Sequence, residues 1–542
     1  MEERRLIEGR WVRWDAGRAQ AAYAQGWWVR RTLGEALKRA AAQTPGRVLV
    51  VDGDIRLDCR TLYAQATTLA HAMLARTAPG SVVSFMLPNW HEAASIYLAT
   101  HLAGMIANPI VPSMRDRELL FVLEDVQSRL VFVPDKFRDF DYGAMMARVA
   151  PRLSSPPTVF TVRGEATDHV PYASLFAEGA KDGLRLPDVD PDGVRFVLYT
   201  SGTTGTPKGV LHSQNSIHAL VRQIGRYWLV EAGDTFLVPS PISHIGGSIY
   251  AFECPLLLGT TAVLLDRWDP RVAVDIATRQ PCTHLAGATP FLQQLLEAAE
   301  QAHTRLNGLK VFVCGGASVP PSLIRMAAAH FNQTIVTRVY GSTEVPVTTV
   351  GVLDRQDLAH AAETDGRAAI AEVKLIDGSG RHAREGEIRA RGPQMLVGYL
   401  HAEDEAAVFD EEGYYRTGDL GRWEDDFLIV SGRAKDIIIR NGENISPKEV
   451  EDYLREHPNI DDVAIVGLPD ARTGERACAA IVAKDPPIPD VANLRAFLKA
   501  LGVASFKIPE QVFAMEALPK NDAGKTLKHE IRALLLHKSQ PS

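Results

Sequence analysis

The sequence predicts an α/β protein. A large N-terminal domain of parallel sheets layered with helices ends in a small β-rich unit and is followed by a small α+β C-terminal domain. Three observations carry this. From about residue 30 to 350, strand-like apolar runs alternate with helix-like stretches. From about 350 to 433 the pattern turns to short strands and turns. From Ala434 onward a separate unit opens on a helix-start signature. At 542 residues the chain exceeds one ordinary domain, and two or three are expected.

Local chemistry justifies each element. SVVSFML at 81–87 precedes WHEAASIYLATHLAGM, TAVLLD at 261–266 precedes DPRVAVDIATRQ, and LKVFVC at 309–314 precedes PPSLIRMAAAHF. Strand, loop and helix units of this length argue for parallel sheets covered by helices, and ligands bind at the carboxyl ends of such strands. That places two loops at one candidate site: 199–210, after the apolar run VRFVL, and CGGAS at 314–318. The β-rich unit holds AEVKLID, GEIRARGP and FLIVSG. In the last unit Ser446 and Glu449 form a capping box, with Pro447 at the first helical position, so a helix carries EVEDYLREH. Strands DDVAIVG and RACAAIVA and a helix near 491–501 follow.

Composition narrows the function classes. A net charge of −7 argues against a nucleic-acid partner, which needs a basic face. The five cysteines are scattered without CxxC spacing, which suggests neither a zinc site nor a disulfide framework but reduced thiols in the cytoplasm. The opening MEERRLIEGRWVRW lacks the apolar core of a signal peptide. No uncharged apolar run reaches the roughly 18 residues of a spanning helix, so stable membrane insertion is not expected. Trp11, Trp14, Trp27 and Trp28 interleave with Arg10, Arg13, Arg30 and Arg31. Such a pattern can touch a membrane surface, but tryptophan is usually largely buried, and packing on the domain is the expectation.

YTSGTTGTPKGV at 199–210 gathers three glycines, four threonines, a serine and one lysine. Bare amides, hydroxyls and a cation suit a phosphate group, although loops of this composition also serve as plain connections. It is not a Walker A loop: Lys208 follows Pro207 and precedes Gly209, so a magnesium ligand has to come from elsewhere.

Four more segments follow in order: YGSTE at 340–344, YYRTGDLG at 414–421, GRAKDIIIRNGENISPKEVE at 432–451 and PKNDAGKTLK at 519–528. With the first, over nearly the whole chain, they closely resemble the adenylate-forming superfamily of acyl-CoA synthetases, nonribosomal peptide synthetase adenylation domains and luciferases. The resemblance implies activation of a carboxylate by ATP and magnesium to an acyl-adenylate and pyrophosphate, usually followed by transfer to a thiol. It further implies that Thr200, Ser201, Gly202, Thr203, Thr204, Gly205 and Lys208 wrap the β- and γ-phosphates, that Glu344 holds magnesium, and that Thr343 reaches the α-phosphate. Tyr340, with Gly341 and Ser342 beside it, is expected against adenine. Gly315, Gly316 and Ala317 are expected to line the adenine and acyl pockets. Asp419 is expected on the ribose hydroxyls, for which a fixed carboxylate acceptor is suited, with Arg433 assisting. Lys525 matches the mobile catalytic lysine, which makes closure of a lid, 434–542, over a core, 1–433, part of the mechanism. Lys435 falls at the hinge, and Gly442 where a pantetheine arm passes.

For the acid, amino-acid-activating relatives usually carry Asp at the position of His244 in PISHIGGS, and histidine offers no fixed negative charge to an ammonium. The resemblance draws the pocket from His244, Ile245, Gly246, Gly247, Tyr250, Ala288, Gly316, Ala317, Val345, Pro346, Val347 and Thr348, mostly small and apolar, which suits a neutral hydrophobic acid. Gly246 and Gly247 are expected to leave room for a ring or a medium chain. HIGGSIYAF, with VLLDRWDP beyond it, is most similar to ligases for medium-chain and alicyclic acids such as cyclohexanecarboxylate. His244 reads either as a gate at the reacting carboxylate or as a packed core histidine. Coenzyme A is the expected acceptor, with a carrier-protein thiol as the alternative and luciferase-like oxygenation more remote; a homodimer is left open. An inactive nucleotide-binding sensor is the reading of another class, against which the retained Lys208, Glu344, Asp419 and Lys525 speak.

Overall fold

VRFVL becomes the strand Val194–Thr200, and its alternation explains the layering. Phe196 and Leu198 join one hydrophobic cluster while Val194 and Val197 join another, so both faces of the strand are covered, as in parallel sheets flanked by other layers. In the computed structural model, which describes residues 3–164, 168–179, 185–200, 207–316, 319–440, 443–470, 472–521 and 524–539, this strand lies inside an eight-stranded sheet. It pairs in parallel with Ile106–Pro109 and antiparallel with Lys208–Ser213, which in turn pairs with Gly398–Tyr399.

A second sheet of seven strands runs Ile335–Val339, Val311–Gly315, His284–Gly287, Thr235–Val238, Thr261–Leu264, Val48–Asp52 and Ile55–Asp58, parallel except for the last pair. Phe236, Val311 and Val313 share a core with Phe196 and Leu198, so the two sheets face a common interior. The helix His91–Leu102 fills it and is buried from Glu92 to Leu102, which is why its sequence shows no polar stripe.

A four-stranded antiparallel sheet, Glu372–Ile376, Glu385–Arg391, Tyr415–Glu424 and Phe427–Arg433, follows. The final unit is a five-stranded sheet with its own apolar clusters on both faces. Its first helix, Pro447–Leu454, starts at Ser446, whose hydroxyl accepts from Glu449 N at 3.4 Å. The reciprocal half of the expected capping box is not formed: the Glu449 carboxylate takes Lys507 Nζ at 2.7 Å, a stronger partner than a backbone amide. Ser446 Oγ also donates to Ser431 O at 2.6 Å, tying this helix to the preceding sheet.

The N-terminus holds an element that the sequence pattern did not announce, a hairpin of Glu3–Ile7 and Arg10–Trp14 turning through Glu8 and Gly9, both at positive φ (47° and 81°). Trp14 and Trp28 pack at 5.8 Å between ring centres, and Trp28 Nε1 donates to Pro393 O at 2.9 Å. Trp11, by contrast, is 56% exposed. No helix of the described residues is long and apolar enough to cross a membrane.

Candidate active site

Strand ends from both sheets, the antiparallel sheet and the C-terminal unit come together in one region, linked by contacts among Lys208, Tyr399, Glu344, Tyr340, Asp419 and Arg433. Thr200, the last residue of its strand, pairs across the ladder with Lys208. Ser201, Gly202, Thr203, Thr204 and Gly205 between them lie outside the described residues, as do Ala317 and Gly442. Lys208 Nζ sits 3.2 Å from Asp404 and 5.7 Å from the centre of the Tyr399 ring, so an incoming phosphate would replace one anionic partner by another.

Tyr340 leaves the end of Ile335–Val339 and is fixed there by Thr349, whose Oγ1 accepts Tyr340 N at 2.8 Å. Gly341 and Ser342 follow in a tight turn, in which Val345 N donates to Ser342 Oγ at 3.2 Å. This turn presents Thr343, half-buried, and Glu344, 8% exposed. Glu344 Oε1 accepts the Tyr399 hydroxyl at 3.1 Å, and its carbonyl accepts Leu396 N at 2.7 Å. Among the described residues no Lys, Arg or His side chain forms an ion pair with this enclosed carboxylate. An acceptor-only group of that kind fits a hard divalent cation such as magnesium. Another cluster, Asp52, His91 and Glu92, also has ligand spacing, but Arg163 already pairs with both carboxylates, at 2.5 and 2.8 Å.

Asp419 and Arg433 are ladder partners on adjacent strands, with Arg433 Nε 3.1 Å from Asp419 Oδ1. The other carboxylate oxygen accepts the Tyr340 hydroxyl at 2.7 Å, a bond that the sequence did not suggest and that ties the two expected nucleotide contacts together. Burial pushes the Tyr340 phenol well above its usual pKa, so it stays a donor. Gly315 ends its strand, and Gly316 (φ +80°) adopts a left-handed turn that suits glycine.

Lys525 reaches this region from the C-terminal unit. It sits in a turn closed by Asn521, whose Oδ1 accepts Lys525 N at 2.8 Å, and a Cβ on neighbouring Gly524 would lie 3.1 Å from Pro290 Cγ of the core. Desolvation, then the charge of Arg433, lowers its pKa to about 8, while Asp419 and Asp436 oppose the fall. The structure therefore brings Lys525 into the field of Asp419 and Arg433. Lys435, the expected hinge, is exposed in the middle of a short 3₁₀ turn, Ala434–Asp436.

On the acyl side, His244 precedes the short helix Ile245–Ser248, with His244 N on Pro241 O at 3.0 Å. Asn89, missed in the sequence, holds this loop: its Nδ2 donates to Val238 O and Ser240 O and its Oδ1 accepts Ile242 N, each at 3.0 Å. Tyr250 lies in a five-residue π-helix, Ile249–Glu253, and stacks on Phe236 at 5.3 Å, one edge reaching toward Gly246. Ala288 starts the helix Thr289–Gln301. Val345 and Thr348 are buried, the Thr348 hydroxyl donating to Val345 O at 2.7 Å, with Pro346 buried between them. Val347 holds φ +47°, costly for a β-branched residue, and its carbonyl is fixed by Gln223 Nε2 at 2.8 Å. One expectation needs correction. A Cβ on Gly247 would meet Pro241 O at 2.0 Å, so this glycine admits a neighbouring backbone and gives no room to an acyl group, whereas at Gly246 the nearest atom is Tyr250 Cε2 at 3.8 Å.

A large α/β core and a small C-terminal α+β unit that share these groups have the architecture of an adenylate-forming ligase. Residues 37–400 match the family model described as AMP-binding enzyme, and residues 449–525 the AMP-binding enzyme C-terminal domain; the chain belongs to this family, which uses ATP to adenylate a carboxylic acid. It is 35% identical to the medium-chain fatty-acid–CoA ligase of Escherichia coli (strain K12) over 526 residues, 95% of this chain and 92% of the relative. It is 30% identical to the 2,3-dihydroxybenzoate-AMP ligase of Bacillus subtilis (strain 168), covering 97% of each chain. Among solved structures, the amide bond synthetase McbA from Marinactinospora thermotolerans superimposes with a TM-score of 0.81 at 27% identity, covering 93% of this chain and 99% of that one.

Proposed function

We propose that the chain joins a neutral hydrophobic carboxylic acid to coenzyme A in two steps, the core 1–433 working with a lid, 434–542. In the first, the acid displaces pyrophosphate from ATP to give acyl-adenylate; in the second, the thiol displaces AMP and releases a proton. The observation that carries this reading is the grouping of Lys208, Thr343, Glu344, the Asp419–Arg433 pair and Lys525 in one region. Two anions must meet there, so catalysis is chiefly positioning and charge stabilisation, and no protein nucleophile is required. Lys208 holds the leaving phosphates, Asp419 the ribose, and Lys525 the oxygens between carboxylate and α-phosphate. Bound at Glu344, magnesium would neutralise phosphate charge.

The acid is read as neutral and apolar because the 244–250 and 345–348 segments offer no carboxylate for an ammonium and no arginine for a second carboxylate. The relatedness to a ligase named for medium-chain fatty acids and coenzyme A points the same way. A carrier-protein thiol is the alternative acceptor, kept in view by a relative named for an aromatic acid and AMP alone. The test is exchange of labelled pyrophosphate into ATP across a panel of acids, followed by thioester assay with coenzyme A. Medium-chain or alicyclic acids are expected to surpass their α-amino counterparts by roughly a thousandfold in kcat/KM, the scale of burying an unpaired charge. Equal rates for an amino acid and its des-amino analogue would sink the acid assignment; no exchange with any acid would favour a nucleotide sensor.

A further inference from the structure

We infer that His212 is a positioning residue, which holds the Thr343–Glu344 peptide in register with the strand that carries Lys208. The inference rests on the reading of Thr343 and Glu344 given above. His212 is fully buried, at 0% exposure, and stands four residues beyond Lys208 on Lys208–Ser213. Positions four apart on a strand share a face, so the lysine and the imidazole project from the same side. His212 Nε2 lies 2.8 Å from Thr343 O. A carbonyl can only accept, so the ring carries its proton on Nε2, and Nδ1 is left as an acceptor. Ser216 Oγ, 3.0 Å from Nδ1, faces that acceptor, although the same hydroxyl also reaches Ser213 O at 3.0 Å.

The Thr343–Glu344 segment is thus held from two neighbouring strands. The His212 imidazole grips the carbonyl before Glu344, while Leu396 N grips the Glu344 carbonyl and the Tyr399 hydroxyl one carboxylate oxygen. Tyr399 and Val210 are ladder partners, so the His212 and Tyr399 contacts stem from strands bonded to each other, and Leu396 lies two residues before the second of them. His212 is the member of this set that belongs to the lysine strand. Removing its proton donor leaves the half-buried Thr343 carbonyl without that partner and lets the peptide swivel, which displaces the Thr343 hydroxyl and the Glu344 carboxylate together. A purely structural histidine would affect folding and leave the metal and nucleotide dependence alone.

The test compares His212→Gln, His212→Asn and His212→Leu in the full chain. An extended glutamine amide reaches the place of Nε2, whereas asparagine, with the same amide, stops about one bond short. Manganese binding in the presence of ATP is read by electron paramagnetic resonance, and pyrophosphate exchange is followed in parallel while magnesium and acid are varied separately. His212→Leu and His212→Asn are expected to weaken manganese·ATP binding and raise the magnesium requirement about tenfold, the usual scale for losing a partner behind a metal ligand. The KM for the acid should stay within about twofold, and His212→Gln should lie within about threefold of the parent, since it retains the donor. If His212→Leu does not fold, the asparagine and glutamine pair still decides. Parent-like metal dependence in His212→Asn, or a His212→Gln no better than His212→Asn at an unchanged thermal midpoint, overturns the inference while leaving Glu344 untouched. Glu344→Gln is measured alongside: should it bind manganese·ATP as tightly as the parent, the reading of Glu344 falls, and this inference with it.

Discussion

Glu253 shows how far one buried group can be read from its surroundings. It ends the π-helix that carries Tyr250, is 1% exposed, and accepts a single described hydrogen bond, from the Tyr97 hydroxyl at 2.7 Å. Desolvation outweighs that bond and raises its pKa to about 7. Between its unfolded value near 4.5 and about 7 the folded chain holds a proton that the unfolded chain has released, so stability falls as pH rises through this window and levels off above it. Glu253→Gln, which keeps the acceptor for Tyr97 without the ionisation, is therefore expected to be more stable than the parent at pH 8 by up to about 3 kcal/mol, with the advantage gone by about pH 4.5. Thermal or denaturant midpoints of both proteins across that range would check this; an advantage independent of pH would mean that Glu253 ionises no differently in the two states.

At the level of elements, the acyl-side loop and helix 241–248 make a sharper prediction than their composition did. Gly246→Ala adds a methyl whose nearest neighbour is an aromatic edge at 3.8 Å, so folding should be preserved while the preferred acid becomes shorter. Gly247→Ala drives a methyl into two backbone carbonyls, at 2.0 Å from Pro241 O and 2.6 Å from Ser240 O, and should lower stability by about 1–3 kcal/mol or more, with activity reduced for every acid alike. Circular dichroism melts and an acid-length profile distinguish the two, and a chain-length shift in Gly247→Ala with normal stability would restore it to the pocket wall. The pair also marks what sequence can give. Apolar runs such as SVVSFML and LKVFVC announced the strands Val82–Phe85 and Val311–Gly315, because burial on both faces leaves a continuous hydrophobic signature. The hairpin at 3–14 escaped because its arginines and glutamates hide the alternation, and its partners are distant: Arg13 pairs with Glu405, and Glu8 with Arg195. Lys208, Glu344, Asp419 and Lys525 stood out through ordered motifs, but Asn89, His212 and Tyr399, whose value lies in bonds to remote segments, carry no local signal.

For the whole molecule the decisive question is how one site would serve the two proposed reactions. In this structure Gly524, next to Lys525, lies against Pro290 of the core and the Lys525 ammonium is within the influence of Asp419 and Arg433, the arrangement that the proposed adenylating step would use. The contacts of the C-terminal unit with the preceding sheet include the polar bond of Ser446 Oγ to Ser431 O. On the proposal that this unit is a lid, Lys525 acts only while the lid is closed. Lys525→Ala should then depress acid-dependent pyrophosphate exchange by about two to four orders of magnitude, the scale of losing an oriented charge stabiliser, while the conversion of supplied acyl-adenylate and coenzyme A to thioester largely survives. Because Lys525 is charged below its pKa of about 8, kcat/KM for exchange should fall as pH rises past that value, and the residual activity of Lys525→Ala should lack this limb. Gly442→Leu, at the position where the thiol is expected to pass, should do the reverse, sparing acyl-adenylate formation and blocking transfer. Domain alternation demands this crossed pattern. Two variants of unchanged folded stability that damaged both half-reactions equally would show instead that a single closed arrangement carries both steps, and the assignment of Lys525 and Gly442 to opposite faces of the lid would have to be given up.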